Sequence, residues 1–133
     1  MTATLINGMD HIEFDAIIAG KYTLKVQNAK KRGIHFDLSI AQFRNAYRRK
    51  HCAYTGAVLT FERGDLPQGQ LPRNYATLER VDANKGYTID NVVVISHEAN
   101  SIKAVFENPA PGSNMNVDAA IRMFAKIAEM KNK

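Results

Sequence analysis

The sequence predicts an α+β fold built on one small strand–loop–strand–helix core, and three observations carry that expectation. Two short β-rich runs, at 76–81 and 91–95, bracket a polar, glycine-marked loop at 82–90. Ser96 follows the second run directly and can cap a helix that reaches about residue 107. Helical patterns stand before and after this unit, so additional N-terminal and C-terminal helices are expected. At 133 residues and 45% hydrophobic content, residues 1–133 are expected to form one domain with a modest core.

Taken in order, residues 1–20 hold Ile12, Phe14, Ile17 and Ile18 without a firm period, and only a short helix is expected there. Residues 21–32 read as a helix with Leu24, Val26 and Ala29 inward and lysines outward, stopped by Gly33. Ser39 and Gln42 match a capping box, in which the hydroxyl accepts from the amide three residues on and the glutamine reaches back. The helix so opened puts Ile40, Phe43 and Tyr47 on a buried face and turns Arg44, Arg48 and Arg49 elsewhere. Residues 51–56 read as a turn, 57–61 as a short strand, and 64–73, with Pro67, Gly69 and Pro72, as a loop. Pro109, Pro111 and Gly112 then break the chain. A last helix, over 116–131, begins at Asn116 or Asp118 and carries Ile121, Phe124, Ala125 and Ala128 as one apolar stripe.

The net charge of +5 is unevenly distributed. Residues 21–50 hold nine Lys/Arg against Asp37 alone, a local net of +8, while the remainder is net −3. Segregation of this size points to a polyanionic partner, nucleic acid first among them, through Lys30, Lys31, Arg32, Arg44, Arg48, Arg49 and Lys50. The apolar runs, such as 92–95, are too short to cross a bilayer, so no membrane association is expected. The first residues show neither a basic region nor an apolar signal core, and Cys52 has no partner for a disulfide. Both features lead to the expectation of a cytoplasmic protein.

Three polar residues stand at the junctions of the central unit: Glu79 in the first strand, Asn91 opening the second, and Asn100 on the helix. A carboxylate and side-chain amides are the oxygen donors that a hard divalent ion prefers. Such an ion polarises a phosphate and stabilises a leaving oxygen. None of the three is distinctive alone, since strand glutamates are usually solvated and Asn before a strand is usually turn chemistry. Their combination with this element order is what directs attention to phosphodiester hydrolysis.

Four sub-motifs sharpen that reading: Arg32-Gly33-Ile34-His35-Phe36-Asp37-Leu38-Ser39, Cys52-Ala53-Tyr54-Thr55-Gly56, Leu78-Glu79-Arg80-Val81-Asp82 with Lys85-Gly86-Tyr87, and Asp90-Asn91-Val92 with Ala99-Asn100-Ser101-Ile102-Lys103. In this order they resemble a phage-type branch of the HNH endonucleases, whose ββα-metal fold sets a hairpin against one helix around a divalent cation. The resemblance covers about residues 76–103, with weaker support upstream. It implies a ββα-metal core over 76–107, with Glu79 and Asn100 as ligands of one Mg²⁺ or Mn²⁺. It implies Asn91 as the residue that braces the loop and orients the site, and adds Lys103 to the DNA-contacting residues.

The chain departs from the family at two places. Arg80 stands where many HNH enzymes keep the histidine that activates water. A guanidinium is no base, but its forked donors suit a phosphate oxygen. His97, three residues before Asn100, and Asp82 remain as candidates for the base. The Cys-x-x-Cys pairs of related sequences are missing, so no structural zinc is expected; Cys52 reads as a core residue and Tyr54 as part of the packing that replaces the metal. His51 reads as a solvated turn residue that could touch phosphate, and His11 and His35 have no assigned role.

The resulting expectation is a metal-dependent DNA endonuclease of low sequence specificity, phage or mobile-element encoded, which nicks or cuts. The alternative, from a different class, is a catalytically inactive module on the same scaffold that binds nucleic acid or a host protein.

Overall fold

A long helix, α1 (His11–Lys31), forms the spine of the computed structural model, which describes residues 5–6 and 8–133. Ahead of it β1 (Leu5–Ile6) and β2 (Met9–Asp10) pair antiparallel, and the Asp10 carboxylate caps α1 by accepting from Glu13 N–H at 2.8 Å. The sequence suggests a short helix and then a second from residue 21; the chain instead runs through Gly20 without a break. Phe14, Ile18, Tyr22, Lys25 and Ala29 recur at three- and four-residue spacing, so one stripe continues across the glycine. Burying Phe14 and Ile18 contributes about 1.5–3 kcal/mol each, which exceeds the roughly 1 kcal/mol cost of a helical glycine.

The inward face of α1 also differs from expectation. Leu24 is 61% exposed, whereas Lys21 and Lys25 lie half-buried on the stripe. The helix ends as expected at Gly33, whose φ of 66° permits Ile34 N–H to bond back to the Ala29 carbonyl and Gly33 N–H to that of Lys30.

After β3 (Phe36–Asp37), α2 (Ile40–Ala46) opens with both bonds of the Ser39/Gln42 capping box. Phe43 and Tyr47 are buried and Phe43 meets Tyr22 edge-on at 5.2 Å; Ile40, in the first turn of so short a helix, stays 50% exposed. The expected strand at 57–61 is reduced to two bridges, His51↔Val58 and Thr60↔Tyr75, although Leu59 and Phe61 are buried.

The centre of the fold is an antiparallel pair, β4 (Ala76–Arg80) and β6 (Val92–Ser96), in the register Ala76↔Ser96 to Arg80↔Val92. Between them β5 (Tyr87–Thr88) pairs in parallel with β3, an association that local pattern does not announce. Ser96 caps α3 (His97–Glu107) as expected, accepting from Ala99 N–H at 3.1 Å, and α3 packs on both central strands. Phe14, Ile18, Phe43, Leu78, Val94 and Ile95 are the fully buried heart of this α+β core. Asn116 caps α4 (Val117–Lys131), which packs mainly on α3 through Ala120 and leaves Ile121 and Phe124 exposed. Among the described residues, no helix is long and apolar enough to cross a membrane.

Candidate functional site

Along β4, alternate residues turn their backbone groups to the same edge, and Ala76, Leu78 and Arg80 face away from β6. That edge is closed almost entirely by side chains. Ala76 N–H donates to the Thr60 carbonyl, Leu78 N–H to the Tyr47 hydroxyl, and Arg80 N–H to Glu79 Oε1 at 2.7 Å. On the acceptor side, Lys21, Lys25 and Lys103 donate to the carbonyls of Ala76, Leu78 and Arg80 at 3.5, 3.3 and 2.9 Å. This explains why two lysines of α1 point inward: an unpaired buried carbonyl costs more than desolvating an ammonium that finds a partner. Burial, with the like charges of Lys25 and Arg63, holds Lys21 down to about 8. Lys25 is likewise lowered by burial, while Glu79 opposes the shift.

The loop between β4 and β6 is built around Asn91. Its buried amide accepts from Asp82 N–H at 2.9 Å and donates to the Asp82 and Gly86 carbonyls at 3.1 and 2.9 Å. Arg80 holds the same loop from inside. It is 9% exposed, lies 5.3 Å from the Tyr87 ring centre, and donates through Nη1 to the carbonyls of Ala83 and Lys85 at 2.8 and 3.0 Å. The Nη1 donors expected at a phosphate are therefore turned toward the protein's own backbone. Gly86 lets this loop dock on the 34–37 segment, because a Cβ there would stand 2.6 Å from the His35 carbonyl oxygen. Tyr87 N–H donates to that same oxygen at 2.8 Å.

α3 is fixed beside β4 at two points. His97 N–H donates to the Tyr75 carbonyl at 2.8 Å, and six residues on Lys103 reaches the Arg80 carbonyl. Asn100 lies between these anchors on α3, and Glu79 lies between their partners on β4. Both residues are half-exposed, and Glu79 sits on the opposite strand face from Leu78 and Arg80. His97 is half-exposed at the helix start, and among the described residues its ring makes no hydrogen bond. Asp82 is committed to turn chemistry, with Oδ1 accepting from Asn84 N–H at 2.9 Å. Among the described residues no three His, Cys, Asp or Glu side chains are grouped to hold a metal, so any ion near Glu79 would depend on amide and water oxygens.

The basic residues divide. Lys30, Lys31, Arg32, Arg48, Arg49 and Lys50 are exposed, whereas Arg44 pairs with Asp15 near the start of α1. That ion pair places the 44–50 stretch at one end of α1 and Lys30 to Arg32 at the other, about 22 Å of helix apart. The basic residues of 21–50 thus form two exposed clusters, with Lys21 and Lys25 turned inward. Lys103 is also engaged, with the Arg80 carbonyl and with Glu107 at 2.7 Å, rather than free for a polyanion.

The sequence reads Tyr54 only as packing, yet it is 46% exposed, and after burial the carboxylate of Glu79 is the main influence raising its phenol, followed by Glu107 and Cys52. It belongs to the surroundings of Glu79 because Ala53 N–H bonds to the Val94 carbonyl at 3.1 Å and docks the 52–56 turn on the outer edge of β6. No local pattern could announce that. Cys52 is buried and free, as expected of a core thiol. Comparison of the chain with protein families, with curated proteins and with solved structures finds no match.

Proposed function

We propose that the chain is a metal-dependent endonuclease of HNH type that hydrolyses DNA phosphodiester bonds, with β4, the 82–91 loop, β6 and α3 as its ββα-metal core. The observation that supports this reading is the pair of anchors, His97 to Tyr75 and Lys103 to Arg80, which lay α3, with Asn100 between them, along β4, the strand of Glu79. A hard cation such as Mg²⁺ or Mn²⁺ suits this donor set. Glu79 has one carboxylate oxygen bonded to the Arg80 amide and one left over, and Asn100 offers an amide oxygen. Bound there, the ion would supply polarisation of the phosphoryl group and stabilisation of the leaving oxygen.

The protein's own residues account for the rest. Asn91 and Arg80 keep the 82–91 loop in one conformation from two sides, so that Glu79 is presented on a rigid strand. Lys30, Lys31 and Arg32, exposed at the end of α1, are the basic cluster assigned to a polynucleotide backbone, since the charges of both Arg32 and Glu79 act on Lys25. His97, with its unbonded ring, is the candidate proton acceptor ahead of Asp82.

A second reading, a binding module without catalysis, is favoured by one observation: Arg80, where the resemblance expects a water-activating histidine, is buried against the loop. Incubation with supercoiled plasmid and Mg²⁺ or Mn²⁺, with and without chelator, separates the two. The endonuclease reading expects ion-dependent nicking that disappears in Glu79→Gln and Asn100→Ala while their melting curves stay near the parent's. Plasmid binding without any cleavage in either ion would leave the binding module.

A further inference from the structure

On the far side of β4 from β6, α1 and the 63–76 segment border an open, solvent-facing cavity of about 320 Å³. Lys21, Lys25 and Arg63 bring three cationic side chains to it, and Asn28, Tyr75 and Thr77 add hydrogen-bonding groups. No Asp or Glu is among the described residues that line it. The Lys21 ammonium is held in place by the Tyr75 hydroxyl at 2.6 Å and stands over the Tyr75 ring at 4.0 Å. Arg63 is exposed, lines the cavity and, among the described residues, makes no ion pair; its charge acts on both Lys21 and Tyr75.

Glu79 offsets the charge of Lys25 in part, yet Lys25 and Arg63 still repel Lys21 with no lining carboxylate between them, and an anion would relieve that repulsion. The donors match an oxyanion with several acceptors: a fork from Arg63, ammonium protons from Lys21 and Lys25, and amide or hydroxyl donors from Asn28 and Thr77. Carboxylate ligands offer two oxygens, whereas a phosphoryl group offers enough for all three cations at once. The cavity is also continuous with the candidate active strand, because Thr77 and Glu79 share one face of β4, about 7 Å apart.

We infer that the cavity between α1 and the 63–76 segment is a phosphate-binding seat, distinct from the Glu79–Asn100 pair, with Arg63 as its gate-side ligand and Lys21 and Lys25 as its floor. A phosphodiester within a polynucleotide and a terminal phosphate share this chemistry. Anion binding at this seat requires neither a divalent ion nor nuclease activity.

The test measures binding of pyrophosphate to the whole chain by calorimetry, in chelator and at constant ionic strength. The parent and Arg122→Gln, which removes one exposed charge on α4, should bind alike. Arg63→Gln should weaken binding about tenfold or more, as expected for loss of one charge-assisted hydrogen bond. In the parent, the side-chain resonance of Lys21 should move on titration with pyrophosphate while that of Lys131 does not. Competition by an unphosphorylated oligonucleotide assigns the seat to a backbone phosphate, and competition only by its 5′-phosphorylated form assigns it to a terminal one; both support the seat. Equal binding by Arg63→Gln and the parent, or no movement of Lys21, would overturn it.

Discussion

The Lys103 ammonium donates to the Arg80 carbonyl at 2.9 Å and so ties α3 to the end of β4. Its second partner is Glu107, one turn along the same helix at 2.7 Å. Lys103→Met should lower stability by about 1–2 kcal/mol in urea denaturation, because a half-buried carbonyl loses its donor. If α3 positions Asn100 for the ion, the same variant raises the Mg²⁺ concentration needed for nicking. The salt dependence of DNA binding should stay as in the parent, and a flatter slope would show instead that Lys103 meets phosphate.

Asn91 makes three hydrogen bonds from a buried amide, all to the 82–91 loop. Asn91→Ala should therefore cost about 2–4 kcal/mol, since it strands an amide and two carbonyls as well as removing the bonds. Asn91→Asp keeps an acceptor for Asp82 N–H but turns two donors into repelled oxygens, and should be no better than alanine. Amide hydrogen exchange across residues 82–86 should accelerate in both variants. Unchanged protection would show that the loop is held by other means.

Arg80 is buried, with Nη1 on two carbonyls and, among the described residues, no partner for Nε. Arg80→Lys shortens the side chain and removes the planar guanidinium that lies by the Tyr87 ring, and should lose about 1–3 kcal/mol of stability. Arg80→His tests the slot directly. If it corresponds to the base position, nicking persists with a new pH dependence near the ordinary histidine value of about 6.5. If Arg80 acts only as a brace, activity falls in step with the melting temperature in every variant.

The two exposed basic clusters stand at opposite ends of α1, so they should contribute separately to DNA binding. Replacing Lys30, Lys31 and Arg32 by Gln should flatten the salt dependence by up to about 0.9 log unit for each phosphate left unneutralised. Replacing Arg48, Arg49 and Lys50 should change it less, if the backbone lies across the Glu79 end of the fold. Equal effects of the two triple variants would mean that DNA spans the length of α1.

Lys21 titrates near 8 in the fold, below its ordinary value of 10.5, because burial and the charges of Lys25 and Arg63 penalise the ammonium. The unfolded chain therefore binds more protons between those values, and stability rises with pH across that window. Below about pH 8 both states are protonated, and the burial penalty is present in full. The rise should amount to at most about 3 kcal/mol and be absent from Lys21→Met, measured as the difference between the two pH profiles. Lys25, also lowered, contributes a rise of its own to both proteins, which the difference between the profiles removes. A parallel pair of profiles would show that Lys21 is not the titrating group.

Much of the framework is legible in local pattern. The caps at Ser39, Ser96 and Asn116, the stop at Gly33 and the strands at 76–80 and 92–96 depend on contacts within a few residues, which the residue types dictate. The two lysines of α1 show where that ends. By composition Lys21 and Lys25 belong outside and Leu24 inside, but the outer edge of β4, some fifty residues away, presents carbonyls that need donors. Likewise, the docking of the 82–91 loop against 34–37 through β3 and β5, and the turning of Arg80 toward Ala83 and Lys85, follow from which backbone groups the assembled fold leaves unpaired. The apolar spacing of α4 is visible in the sequence, yet only packing leaves Ile121 and Phe124 exposed. Periodicity is a property of one segment, whereas hydrogen-bond satisfaction belongs to pairs of segments brought together by the core. For that reason the elements could be read from the sequence by itself, and only the tertiary structure decided which charges face inward and what they hold.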